Sequence, residues 1–261
     1  MNPFQTAGDV MLALGLTLPR IAGAFLMLPL LTAETVPAMV RNSFMVSLAI
    51  VAIPIAMSGI PVGSLNALMW VPVVLKEIFI GISIGFCFGI VFWAIGAVGN
   101  VLDTQVGLGM AAVFDPIQGH QTSIHGDLLS RLATWLFMAS GAFLVFLDLL
   151  LSSYSLWPVT QWYPTLHPQG MELFVGHFSY MMTAILVLGA PAMVLLLIID
   201  LSFGLVNRYA PQLNVFALTL PIKAWIATAV ILLLIGAYVE IILDRLSTNR
   251  GLLQLIQKAF S

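Results

Sequence analysis

Long apolar runs dominate the chain, and short polar breaks divide them. Six stretches are almost free of charge, at roughly 8–31, 43–60, 67–98, 128–151, 177–200 and 217–243. Runs of this kind predict helices, because the strands of a membrane barrel would alternate apolar and polar residues. A helix needs about 20 residues to cross the hydrocarbon core, so about six spans are expected. The second run is short and contains Pro54, whereas the third is long enough to tilt, kink or extend beyond the bilayer. The longest polar connections are about 99–127 and 152–176, and no soluble domain is read in either. The expectation is an all-α fold forming one membrane domain over residues 1–261.

Composition sharpens this picture. Of 261 residues, 61% are hydrophobic and only 8% charged, with a mean hydropathy of +1.07. Soluble domains carry about 25% charged residues, so the chain is read as an integral, multi-pass membrane protein. A net charge of −2 gives no reason to expect a nucleic-acid partner. Cys87 is the only cysteine, which excludes an intrachain disulfide and a cysteine-based metal site. No basic side chain precedes the first run, so a secretory signal peptide is not expected. Six spans would place Arg41, Arg131 and Arg208 on one side and Arg245, Arg250 and Lys258 on the other. The positive-inside rule therefore leaves the orientation open.

Within the runs, Gly81, Gly85 and Gly89 recur every four residues and line one helix face, where another backbone can approach closely. Pro54, Pro72, Pro191 and Pro221 each remove a helical hydrogen bond. Pro72 and Pro221 are read as first-turn residues, and Pro191 as a kink. At the C-terminus, residues 244–261 carry Leu252, Leu253, Leu255 and Ile256 at helical spacing, which fits either an amphipathic docking helix or a frayed tail.

The polar breaks hold the candidate sites, because an unpaired amide or charge costs several kcal/mol in hydrocarbon. One is the island Asn207-Arg208-Tyr209-Ala210-Pro211-Gln212-Leu213-Asn214-Val215-Phe216, followed closely by Pro221 and Lys223. It must face water or a partner built to satisfy it. Another lies in the connection 99–127, where Val106, Gly107, Leu108, Gly109, Met110, Phe114, Asp115 and Pro116 belong to a short apolar block edged by glycines and polar residues. Such a block fits a re-entrant or pore-lining segment, or a short interfacial helix. Arg20, Lys76, Glu77, Asp148, Asp200 and Lys223 lie near or inside apolar runs. Most can snorkel. Arg20 and Lys223 lie deeper, each near a proline, and are candidates for an inter-subunit or pore role.

Enzyme signatures fail. His120 and His125 lack the glutamate of a zincin motif, and neither a Gly-x-Ser-x-Gly elbow nor a P-loop occurs. Asp148 and Asp200 lack the sequence context of an intramembrane protease pair. No enzyme, metal site or cofactor is expected. A small-solute permease stays open as an alternative, although no inverted repeat of broken helices is evident.

The island and the central block together resemble a known family. The run Gly204-Leu205-Val206-Asn207-Arg208-Tyr209-Ala210-Pro211-Gln212-Leu213-Asn214-Val215-Phe216, with Leu220-Pro221-Ile222-Lys223, is similar to the hallmark of the SctT/FliR family. Gln105-Val106-Gly107-Leu108-Gly109-Met110-Ala111 and Phe114-Asp115-Pro116 resemble its central loop, and Leu18-Pro19-Arg20 and Pro29 also fit. These are export-apparatus proteins of bacterial type III secretion systems, in both injectisomes and flagella. The lysine of Pro221-Ile222-Lys223 and the wording Gly109-Met110-Ala111 resemble the injectisome branch more than the flagellar one.

The resemblance implies a non-enzymatic subunit in the bacterial inner membrane. Kinked helix hairpins would assemble helically with SctR-like and SctS-like subunits into an export gate leading to needle and inner-rod proteins. Unfolded substrates would pass through it. Val106–Pro116 would be the channel plug. Asn207, Arg208, Pro211, Gln212, Asn214, Phe216, Pro221 and Lys223 would form an entrance loop where a SctU-like switch protein docks. Energy would come from elsewhere, so no nucleotide site is implied.

Overall fold

A computed structural model describes residues 7–31, 36–56, 70–108, 123–159 and 168–248. Among them every regular element is helical: α1 (Ala7–Met27), α2 (Ala38–Ala56), α3 (Trp70–Val106), α4 (Ile124–Ala139), α5 (Ala142–Leu156), α6 (Pro168–Tyr209) and α7 (Val215–Thr248). Five helices are long and apolar enough to cross a membrane, and a sixth span is present if the bent pair α4–α5 counts as one. At a rise of 1.5 Å per residue, the 37 residues of α3 extend about 55 Å. The 42 of α6 extend about 63 Å by the same rise. Both exceed the ~30 Å hydrocarbon core.

Three sequence expectations change. The fourth apolar run is not one straight helix, because α4 and α5 meet at an angle of 71°. Gly141 takes φ +75° there beside Ser140, and Gly/Ser pairs are a recognised cause of sharp breaks. Pro221 does not mark a first turn. Asn214 precedes α7, its Oδ1 accepting from the Ala217 N–H at 3.4 Å, so Pro221 lies inside the helix. Finally, residues 99–106 of the expected connection belong to α3, and 124–127 to α4.

The chain divides into two compact units. The first takes the described residues up to Ile90, Met138–His177 and those from Leu246 on. Its core is aromatic. Phe25 meets Phe44 and Phe146 edge-on at 5.6 and 5.4 Å between ring centroids, and Phe88 reaches Phe146 at 5.3 Å. Edge-to-face rings add roughly 0.5–1.5 kcal/mol per pair beyond area burial.

The second unit comprises Val91–Phe137 and Phe178–Arg245. Phe92 packs on Phe137 at 5.2 Å. A Cβ on Gly99 would overlap the backbone of Gly126, so these two glycines allow α3 and α4 to touch. Within this unit α6 and α7 run antiparallel. Lys223 meets Asp200, the Tyr238 hydroxyl donates to the Leu188 carbonyl at 3.1 Å, and Arg245 lies over the Tyr180 ring at 4.1 Å.

Candidate functional site

In the first unit the deepest polar group is Arg20. Its residue and Glu77 are both 0% exposed. Nε donates to Glu77 Oε2 at 2.6 Å, Nη1 to Ser153 Oγ at 3.0 Å and Nη2 to the Trp157 carbonyl at 2.9 Å. The guanidinium also lies 4.1 Å from the Tyr154 ring centroid, and the Tyr154 hydroxyl donates to the Thr17 carbonyl at 2.7 Å. Lys76 Nζ sits 3.0 Å from Glu77 Oε1 and donates to the carbonyls of Pro158 and Val159 at 3.2 and 2.8 Å.

Two cations thus share one carboxylate. The excess positive charge faces carbonyls at and just beyond the C-terminal end of α5, where the helix dipole favours it. Arg20 therefore neither snorkels nor lies open to a pore or a partner. A buried arginine needs several acceptors, and this chain supplies all of them.

The glycine stripe explains how α1 reaches this position. Cβ atoms on Gly81 and Gly85 would overlap the carbonyl oxygens of Arg20 and Ala24, so α1 and α3 touch backbone to backbone. Gly89 is buried further along the same helix.

In the second unit the start of the central block is well defined. Val106 is the last, buried residue of α3. Gly107 adopts φ +95°, a conformation that favours glycine. Its N–H donates to the Thr104 carbonyl and the Leu108 N–H to the Asp103 carbonyl, both at 3.1 Å. This is a Schellman ending, which satisfies carbonyls that α3 would otherwise leave open. Leu108 follows at 36% exposure. Gly109, Met110, Phe114, Asp115 and Pro116 lie outside the described residues.

The return of the chain is fixed by the same aspartate. Asp103 Oδ2 accepts from Ser123 Oγ at 2.6 Å and from the His125 N–H at 3.0 Å. Ser123 caps α4, its Oγ accepting from the Gly126 N–H at 2.9 Å. The His125 ring bonds Asp103 Oδ1 through Nδ1 and contacts Thr228 Oγ1 on α7 through Nε2 at 2.9 Å.

The island forms the connection between α6 and α7. Asn207, Arg208 and Tyr209 complete the last turn of α6, and Ala210–Asn214 reverse the chain. The Ala210 N–H donates to the Val206 carbonyl at 2.8 Å, and the Leu213 N–H to the Ala210 carbonyl at 3.1 Å. Asn207, Arg208, Pro211, Gln212 and Asn214 are exposed, as are Tyr209, Leu213 and Phe216. Pro221 is exposed on α7. Lys223 stands apart from this group. It is buried, and its Nζ lies 2.9 and 3.0 Å from the two carboxylate oxygens of Asp200. Asp200 is thus its partner within the chain. Asp148 is exposed on α5.

The arrangement offers closely packed helices, an exposed polar and aromatic turn, and a short apolar block leaving the end of α3. No group of His, Cys, Asp and Glu among the described residues could hold a metal ion. The family model described as "Bacterial export proteins, family 1" matches residues 11–248. This chain belongs to that family.

Several relatives agree over most of their length. The Yop proteins translocation protein T of Yersinia pestis is 35% identical over 219 residues, 84% of each chain. The secretion system apparatus protein SsaT of Salmonella typhimurium is 31% identical across 84% of this chain and 85% of its own. The flagellar biosynthetic protein FliR of Bacillus subtilis is 28% identical across 95% and 97%. The chain is thus a membrane protein of the type III secretion export-apparatus family.

In this export-family member, Asp103, Ser123, Thr228 and the Arg20 acceptors Ser153 and Trp157 did not stand out from the sequence. Asp103 lies among Asn100, Thr104 and Gln105, a cluster that reads as loop. The available signal was Leu102 and Val106 four residues apart, both buried, which continue the helical face of α3.

Proposed function

We propose that this export-family member is a non-enzymatic subunit of a type III secretion export gate, of the injectisome kind, in the bacterial inner membrane. It assembles with SctR-like and SctS-like subunits around a channel that unfolded proteins cross toward needle and inner-rod proteins. Residues 106–116 close the channel at rest, and the α6–α7 connection receives a SctU-like switch protein.

The observation that carries this reading is the exposed connection at the end of two overlong helices. A helix of about 63 Å cannot fit inside a ~30 Å hydrocarbon core even when steeply tilted. The polar end is the one expected to leave it. There Tyr209 is 82% exposed, with Phe216 at 55% and Leu213 at 50%, alongside Arg208 and Gln212. Large apolar side chains interleaved with hydrogen-bond donors suit a protein partner better than water or lipid. The injectisome reading rests on Lys223 in Pro221-Ile222-Lys223 and on the wording Gly109-Met110-Ala111.

Affinity purification of the full chain from membranes tests the assembly. Recovery with several small hydrophobic partners is expected, whereas a monomer or homo-oligomer that binds a small solute would favour a permease. Closure is tested by deleting Val106–Phe114. Small-ion leakage across the inner membrane should rise, and an unchanged leak in an assembled complex would remove the plug assignment.

A further inference from the structure

One stripe of α7 reaches both the exit of α3 and the entry of α4. At the exit, a Cβ on Gly107 would stand only 2.8 Å from Leu220 Cδ2, so the leucine packs directly over the bare glycine. At the entry, Thr228 Oγ1 lies 2.9 Å from His125 Nε2 in the first turn of α4. Leu220 and Thr228 are about 12 Å apart along the α7 axis at 1.5 Å per residue. Ala227 and Ile231 on the same stripe are 0% and 1% exposed, whereas Trp225, off it, is 78% exposed.

Each contact meets a point where the backbone changes course. Gly107 needs its missing side chain twice, for φ +95° and for the room that Leu220 occupies. At the other point the buried His125 ring links Thr228 of α7 to Asp103 of α3. The Thr228 hydroxyl also lies 2.9 Å from the Ala224 carbonyl of its own helix. It is the one polar group of that side chain, so the bond to His125 requires it whichever partner supplies the hydrogen. Asp103 ties the two points to each other, and α7 grips each of them separately.

We infer that Leu220 and Thr228 are positioning residues through which α7 holds the exit of α3 at Gly107–Leu108 and the entry of α4 at His125–Gly126. The helix that carries them starts at the exposed connection 210–214. A shift of α7 when a partner docks on that connection would therefore carry both points with it. This link to docking, and to closure by residues 106–116, rests on the proposed function. The positioning itself does not.

The test is hydrogen–deuterium exchange of the full chain in the membrane complex in which it is produced. Thr228→Val keeps the shape of the side chain and removes the hydroxyl, whereas Thr228→Ser keeps the hydroxyl. The amides of His125, Gly126 and Asp127 should exchange roughly fivefold faster in Thr228→Val, the effect of one lost hydrogen bond. Thr228→Ser should leave them at the unmodified rate. Leu220→Ala should speed exchange at Gly107 and Leu108, and Trp225→Ala should change neither place. Unchanged protection at either place in the assembled Leu220→Ala or Thr228→Val complex would overturn the inference. So would faster exchange in Thr228→Ser with none in Thr228→Val, the mark of mere space filling. Ion leakage through the same complexes separates the two readings: faster exchange with an unchanged leak upholds the positioning and counts against closure by residues 106–116.

Discussion

Arg20 and Arg208 are both lone cations set against long apolar runs, and the chain treats them in opposite ways. Arg20 is 0% exposed and its three donating nitrogens end on Glu77, Ser153 and the Trp157 carbonyl. Arg208 closes α6 beside the chain reversal and is exposed. The helices around them differ in the same sense: 72% of the apolar window of α3 is buried within the chain, against 28% for those of α6 and α7. A cation with acceptors in its own chain holds the fold together. Arg208 has none among the described residues, and the proposed assembly surface lies there.

The sharpest way to break this contrast is Arg20→Ala. It leaves the buried Glu77 with Lys76 alone, and removing one partner of a buried pair costs about 3–5 kcal/mol. Thermal denaturation of the detergent-solubilised chain should show a large drop, and Arg20→Met with Glu77→Gln should recover much of it. Wild-type melting of Arg20→Ala would end the distinction.

Gly81→Ala probes the same region more gently. Its Cβ would overlap the Arg20 carbonyl and push α1 off α3, an overpacking loss of about 1–3 kcal/mol in the same melt.

The smallest effect on stability belongs to Arg208→Ala with Gln212→Ala. Surface substitutions stay within about 0.5 kcal/mol, so melting should hardly move while recovery of the proposed partners or secretion falls. Normal secretion with intact co-purification would place the assembly surface elsewhere.

The apolar runs announced most helices, because a helix covered by lipid or protein needs little more than hydrophobicity. Pattern set Arg208 apart in the polar island, but it could not tell how Arg20 and Lys223 are held. The answer lies in oxygens contributed from distant segments: Glu77 and Ser153 for one, Asp200 for the other. The break at Ser140–Gly141 was hidden in a continuous apolar run, where a Ser-Gly pair was the only local mark. The reach of α3 to Val106 was missed because Asn100, Asp103, Thr104 and Gln105 look like solvent-facing residues. Asp103 is polar for a different reason, since its carboxylate serves the N-terminus of α4. The island itself was legible as a polar break, and the structure adds that its aromatic side chains stand exposed with it.

Asp103 receives the chain at both ends of one excursion, its carbonyl accepting from Leu108 and its carboxylate from Ser123 and His125. The span between those ends is consequently set by one residue and does not depend on how much chain lies between them. Both edges of the stretch 109–122 are therefore held by one residue of α3. Replacing Asp103 with alanine would spare the backbone anchor at Leu108 and remove the one at the start of α4.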